Sequence, residues 1–238
     1  MNLVVADDAA TLAHTAADLF RARVTAMPGL VMAVPAGRTP RPMYALMRTL
    51  QARTPVSFAG VRIFSIDELC PPAPPDGYFW RQVRQEFLGW ADATAARLNP
   101  FRVDATDLVA MCADYEHAIA AAGGLDLVMI GLGPNGHIAS NEPGTPFDTR
   151  TRPVHLLPET VGYILTDDVI QGDVCDTAVT LGVATIMDAR EVVVLVSGAA
   201  KRASLRCLLN GPVTPAVPAT VLRDHRNVTI IADRAALG

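Results

Sequence analysis

The residues whose types and spacing can do chemistry fall in four short stretches. Asn135, His137 and Glu142 lie within Gly131–Pro143, a segment with glycines at 131, 133 and 136. A histidine and a glutamate five residues apart can form a pair in which the carboxylate sets the imidazole tautomer and raises its basicity. Asn135 supplies an amide able to orient that imidazole or a substrate hydroxyl. Asp67 and Glu68 are adjacent acids, and a partly desolvated carboxylate is a common general base. Taken alone, the same two acids also suit a helix cap or a solvated edge. Gly37, Arg38 and Thr39, inside Pro35-Ala-Gly-Arg-Thr-Pro40, offer successive amides, a hydroxyl and a guanidinium to an anion, with Pro40 suited to the first turn of a helix. That stretch reads equally well as a plain turn. Lys201 follows Ser197-Gly-Ala-Ala and sits in a first helical turn, where its charge opposes the helix dipole. It is either a surface lysine or a phosphate contact.

Each stretch follows a run that reads as a strand. Residues 30–34, 61–66, 125–130 and 191–196 are short and apolar, the pattern of strands buried on both faces. Residues 3–5, 154–157 and 228–232 add further strand candidates. Between them lie helical patterns. Asp7 or Asp8 caps one that carries Leu12, Ala16, Leu19, Phe20 and Val24, and another starts near Arg41 with Met43, Leu46, Met47 and Leu50. A third covers 78–88, a fourth runs from Thr106 or Asp107 to Gly123-Gly124, and a fifth spans 199–209. The proline-rich stretch 70–77 is expected to be a loop or lid. Residues 161–176 are poorly patterned, and 178–187 mix strand and helix signals. The alternation implies an α/β fold: a single-domain, open, mostly parallel, Rossmann-like sheet over residues 1–238 with helices on both faces. Ligands in such sheets sit at the C-terminal strand ends, where all four stretches fall.

Half of the 238 residues are hydrophobic, 18% are charged and the net charge is −4, which argues for a large core and against nucleic acid as a partner. The four cysteines have no metal-site or disulfide spacing. The N-terminus carries Asp7 and Asp8 rather than the basic residues of a signal peptide, and no apolar run reaches the ~18 residues of a membrane span. The expectation is a cytoplasmic protein without membrane partners.

Read together, Gly37-Arg-Thr-Pro40, Asp67-Glu68, Gly131–Pro143 and Ser197–Lys201 resemble the glucosamine-6-phosphate deaminase (isomerase) family and its relatives, the 6-phosphogluconolactonases. Asn-Gly-His-Ile followed by Asn-Glu-Pro-Gly is the specific part and is closer to the deaminases. The resemblance implies roles. Asp67 would move a proton between C2 and C1 of an opened amino sugar, and His137 would open the ring, tuned by Glu142 and Asn135. Gly37, Arg38, Thr39 and Lys201 would hold the 6-phosphate. The substrate would be a small sugar phosphate, glucosamine 6-phosphate or a close epimer, giving fructose 6-phosphate and ammonia without metal or organic cofactor. Self-association into a homo-oligomer is left open. The chain departs from the family pattern at Arg38 in the phosphate loop, at Leu69 where the family has tyrosine, and at Ser140. It also departs near Thr166, where a second phosphate arginine is absent, so that Arg38 is a candidate replacement. It lacks the C-terminal extension of allosteric members, so no activation by amino-sugar phosphate is expected. The alternatives are a lactone hydrolase of the 6-phosphogluconolactonase type and a non-catalytic sugar-phosphate sensing domain.

Overall fold

The computed structural model describes residues 1–74, 76–168, 170 and 172–238. Pro75, Val169 and Gln171 lie outside the described residues, so the expectations for 70–77 and 161–176 fall partly outside them. Among the described residues the chain builds a seven-stranded sheet and a small three-stranded one. The large sheet contains β1 (Asn2–Ala6), β2 (Val31–Val34), β3 (Arg62–Ser65), β5 (Leu98–Asn99), β6 (Leu127–Gly131), β9 (Glu191–Val196) and β10 (Val228–Asp233). All its neighbours pair in parallel, in the order β1-β10-β9-β6-β2-β3-β5.

The strands are apolar throughout because each feeds two cores. Met32 and Val34 point to one face and Val31 and Ala33 to the other, and Met129 parts from Val128 and Ile130 in the same way. Helices α1 (Ala9–Ala26) and α2 (Arg41–Arg53), with the turns at 79–88, cover the first face. There Phe20, Phe58 and Phe87 meet edge to face and Tyr44 stacks on Phe87. Helices α4 (Leu108–Ala121) and α7 (Arg202–Asn210) cover the second. Helix α1 starts where Asp8, rather than Asp7, accepts from the Thr11 N–H at 2.7 Å, and α4 where Asp107, rather than Thr106, accepts from Ala110 N–H at 2.9 Å.

From β2 the chain proceeds to β3 and β5 in one direction, whereas β6 lies on the other side of β2 and is followed outward by β9 and β10. The strand order therefore reverses between β2 and β6. The loops leaving those two strands diverge, and a crevice opens between them.

The small antiparallel sheet, in the order β4 (Asp67–Leu69), β8 (Thr177–Thr180), β7 (Arg152–His155), grows from the C-terminal end of β3. It was not expected. Asp67 and Glu68 thus begin a new strand instead of ending one, and the mixed signals of 178–187 resolve into the end of β8 and a short helix, α6 (Val183–Met187). The open stretch 161–176 contains the end of α5 (Pro158–Ile164), and the expected helix at 78–88 is α3 (Phe79–Val83) continued by a wider π-type turn, Arg84–Leu88. No helix among the described residues is long and apolar enough to cross a membrane.

Candidate active site

The loop after β6 is folded around the imidazole of His137. The Gly133 N–H donates to the His137 carbonyl at 2.9 Å, and the Gly136 N–H returns to the Gly133 carbonyl at 3.0 Å. A Cβ on Gly133 would run into the His137 ring, so the backbone approaches the imidazole as only glycine permits. Asn135 works in both directions: its Oδ1 accepts from the His137 N–H at 3.1 Å, and its Nδ2 donates to Glu142 Oε2 at 2.9 Å. That carboxylate oxygen stands 3.7 Å from His137 Nδ1, a buried nitrogen that makes no hydrogen bond among the described residues. Burial opposes ionisation of Glu142, but His137, Thr160 and Asn135 outweigh it and hold the carboxyl at about 2. Asn141 serves the frame instead. Fully buried, it donates to the Ile138 and Leu181 carbonyls and accepts from Arg152.

Asp67 and Glu68 part company although adjacent. Asp67 is half-buried and lines the crevice. Its Oδ2 accepts from the Ser140 hydroxyl at 2.8 Å. Burial pushes its carboxyl up to about 6, against the pull of Ser140 and His137. Glu68 faces away and accepts four backbone N–H groups, from Leu69, Tyr78 and Phe79 on Oε1 and from Trp80 on Oε2, at 2.7–3.0 Å. It ties the start of α3 to β4. The helix-cap reading therefore holds for Glu68, while Asp67 is the acid presented to the crevice.

The anion loop leaves β2 at Pro35. Gly37, at φ +98, turns the chain. Its own N–H donates to Gln82 Oε1 at 2.9 Å and its carbonyl accepts from Gln82 Nε2 at 3.1 Å, so its part is to shape the loop. The amides of Arg38 and Thr39 have no protein acceptor among the described residues. The Arg38 guanidinium donates to the Tyr163 carbonyl at 2.8 Å and to the Thr166 hydroxyl, stands 3.4 Å from Asp167 and lies 4.6 Å over the Tyr163 ring. Lys201, only 7% exposed, reaches the same ring at 4.8 Å. Burial, aided by the Arg38 charge, lowers its ammonium to about 8.

One crevice thus gathers Gly37, Arg38, Thr39, Asp67, His137 and Lys201, with Asn135 and Glu142 in contact with the histidine. It combines a carboxyl and an imidazole, suited to moving protons, with cations and open amides suited to an anion. Sequence reasoning missed the contributions of Ser140, Gln82 and Tyr163. Gln82 carried a signal, being polar at a buried position of an amphipathic pattern, but Tyr163 lies in the poorly patterned stretch. No group of three or more His, Cys, Asp or Glu side chains placed to hold a metal ion occurs among the described residues.

The chain belongs to the family described as glucosamine-6-phosphate isomerases/6-phosphogluconolactonase, whose profile matches residues 6–231. A glucosamine-6-phosphate deaminase of Shouchella clausii (strain KSM-K16) is 34% identical over 241 residues, covering 99% of this chain and 96% of its own. That of Beutenbergia cavernae is 36% identical over 241 residues, with 99% and 91% covered. Among solved structures, a monomeric glucosamine-6-phosphate deaminase matches with a TM-score of 0.93 at 29% identity over 100% of both chains. The 6-phosphogluconolactonase from Trypanosoma brucei shares the fold, with a TM-score of 0.76 at 24% identity over 99% and 97%. The chain lies on the deaminase branch, in a family of sugar-phosphate isomerase, deaminase and lactonase chemistry.

Proposed function

We propose that residues 1–238 form one catalytic domain that converts glucosamine 6-phosphate, or a close epimer, with water to fructose 6-phosphate and ammonia. The observation that carries this reading is the hydrogen-bonded Asn135–Glu142 pair set against His137, in the same crevice as Asp67. Hydrolysis of a lactone has no evident use for Glu142, whereas ring opening and proton transfer on an amino sugar call for a tuned imidazole and a separate base.

In this reading the 6-phosphate is held by the amides of Arg38 and Thr39, the Thr39 hydroxyl, the Arg38 guanidinium and the Lys201 ammonium. The contact of Arg38 with Thr166 supports Arg38 as the replacement for the family's second phosphate arginine. Anchoring at C6 positions C1 and C2 near the acid–base groups and converts remote binding energy into orientation. His137 shuttles the proton that opens the pyranose, its orientation kept by Glu142 and Asn135. Asp67, poised near neutrality by burial, takes the proton from C2 and returns it to C1. The carbon bearing nitrogen becomes an imine, which water hydrolyses to the ketone and ammonia. Every group named comes from one chain, which agrees with the monomeric state of the structural relative.

The test is ammonia release from glucosamine 6-phosphate, run beside galactosamine 6-phosphate and 6-phosphogluconolactone. Ammonia from either amino sugar is expected, and the faster one names the epimer. Lactone hydrolysis without ammonia would overturn the proposal in favour of a lactonase, and silence with all three would favour a sensing domain.

A further inference from the structure

Ser140 holds a position that neither its residue type nor its spacing explains. The residue before it, Ala139, has φ +50 and is the sole non-glycine at positive φ among the described residues. That conformation is strained for a residue with a Cβ, and strain of this kind persists where the surroundings impose it. Its effect here is to turn the chain so that Ser140 meets β4 and β8. The Ser140 N–H donates to Thr180 Oγ1 at 3.1 Å, and Thr180 is the register partner of Asp67. The Ser140 hydroxyl then donates to Asp67 Oδ2 at 2.8 Å, while a further hydroxyl, that of Ser65, donates to the Asp67 carbonyl at 2.9 Å. Among the described residues Ser140 alone thus holds the carboxylate, while Ser65 fixes the Asp67 backbone and Thr180 fixes that of Ser140.

We propose that Ser140 is a positioning residue for Asp67: its hydroxyl occupies Oδ2 and leaves Oδ1 as the oxygen that faces the substrate carbon. The assignment rests on the reading of Asp67 as the base. A carboxylate with one oxygen tied has a single orientation, so the proton is taken along one direction without a rotamer search. The same bond stabilises the ionised form, which is the form a base needs, and so opposes the burial that raises Asp67. The titratable and charged groups around Asp67 are few. His137 in the glycine loop favours its ionisation, Glu68 beside it in β4 is itself pushed up by burial and by the Asp67 charge, and Arg38, Asp167 and Lys201 line the same crevice. From β8 the facing group is the neutral Thr180. Removal of the Ser140 hydroxyl therefore leaves burial less opposed.

The experiment compares Ser140→Ala and Ser140→Thr with the parent enzyme in ammonia release across pH 5 to 9. In Ser140→Ala the acid limb of kcat/KM is expected to move up by about one pH unit, the size of a hydrogen bond to a charged group. KM for the sugar phosphate is expected to change less than about two-fold, since the phosphate contacts are untouched. Ser140→Thr keeps the hydroxyl and is expected to retain the parental limb. A Ser140→Ala profile superimposable on the parent, or lowered equally at every pH, would overturn the proposal. A titration of the Asp67 carboxyl by carbon-13 NMR in the free protein reads the same pair without turnover. An unshifted Asp67 in Ser140→Ala would refute it there too. The failure of the deaminase reading is seen separately, as absence of ammonia from the parent enzyme.

Discussion

The Lys201 ammonium lies 4.8 Å from the centre of the Tyr163 ring, and the Arg38 guanidinium lies 4.6 Å from the same ring. One aromatic side chain thereby attracts two cations through its π-electrons, while their mutual repulsion persists and adds to the burial that lowers the Lys201 ammonium. Asp167, 3.4 Å from Arg38, adds a counter-charge beside the arginine.

The charge on Lys201 is correspondingly easy to remove. With its ammonium lowered to about 8, the group is charged at pH 7 and largely neutral at pH 9.5. If it binds the 6-phosphate, KM should rise as pH increases through 8 while kcat changes little. Lys201→Ala should raise KM by about 10- to 100-fold at pH 7, the worth of a charged hydrogen bond, and flatten that pH dependence. Steady-state kinetics at a series of pH values decides it, and an unchanged KM in the variant would remove Lys201 from the phosphate site.

Asp67 and Glu68 should separate function from stability. Asp67→Asn should lower kcat by about 10² to 10⁴ and leave phosphate binding intact. A carboxyl raised from 3.8 to about 6 gives a stability contribution that is present below pH 3.8 and lost as pH rises through 6. The asparagine variant should therefore melt at the same or a higher temperature than the parent at pH 7, with the gap closing from pH 6 to 4. Glu68→Gln sets an amide donor against backbone N–H groups and should cost about 2 kcal/mol, roughly 5 °C in Tm. Calorimetry beside activity assays tests both. Near-native turnover in Asp67→Asn would eliminate it as the base.

Glu142 should matter to both. Glu142→Gln should reduce kcat on the order of 10²-fold by weakening control of the imidazole. A carboxyl lowered from 4.5 to about 2 contributes stability, on the order of 3 kcal/mol, that is fully present above pH 4.5 and lost as pH falls towards 2. The difference in unfolding free energy between parent and variant, measured by denaturant titration, should be constant from pH 7 to 4.5 and shrink below. A difference that persists unchanged at pH 3 would contradict this account of Glu142.

Gly133→Ala should injure the site and spare the fold. The added Cβ collides with the His137 ring, to which its three nearest atoms all belong, so the imidazole must move. Loss of kcat by more than about tenfold with an unchanged far-ultraviolet circular dichroism spectrum is expected, because misplacement of a reacting group by ~1 Å costs on that order or more. Full activity in this variant would show that the imidazole position is not critical.

Much of the fold was legible in the sequence because buried parallel strands must be apolar on both faces. The runs in β2, β6, β9 and β10 stand out for that reason, and their loops then identify the ligand edge of the sheet. Even the approximate start of α1 and α4 was readable, since a cap is a local interaction. The small sheet was not. Its strands are three or four residues long, and β4 finds β8 across more than a hundred residues of chain, a pairing that no local pattern encodes.

The chemical identities of the site were likewise present in the sequence: an imidazole with a carboxylate five residues on, an acid pair at a strand end, a threonine and an arginine in a turn, a lysine opening a helix. Their division of labour was decided in three dimensions. Asp67 and Glu68 differ because successive side chains of a strand point to opposite faces, which sends one acid to the crevice and the other to the N–H groups of Leu69 and residues 78–80. Gly37 shapes the anion loop because Gln82, forty-five residues away, takes its N–H. Ser140 reaches Asp67 only because Ala139 is held at positive φ and β8 lies opposite β4. Residue type and strand order are properties of the chain, but hydrogen-bond partners are set by which distant segments the packed cores bring within about 3 Å.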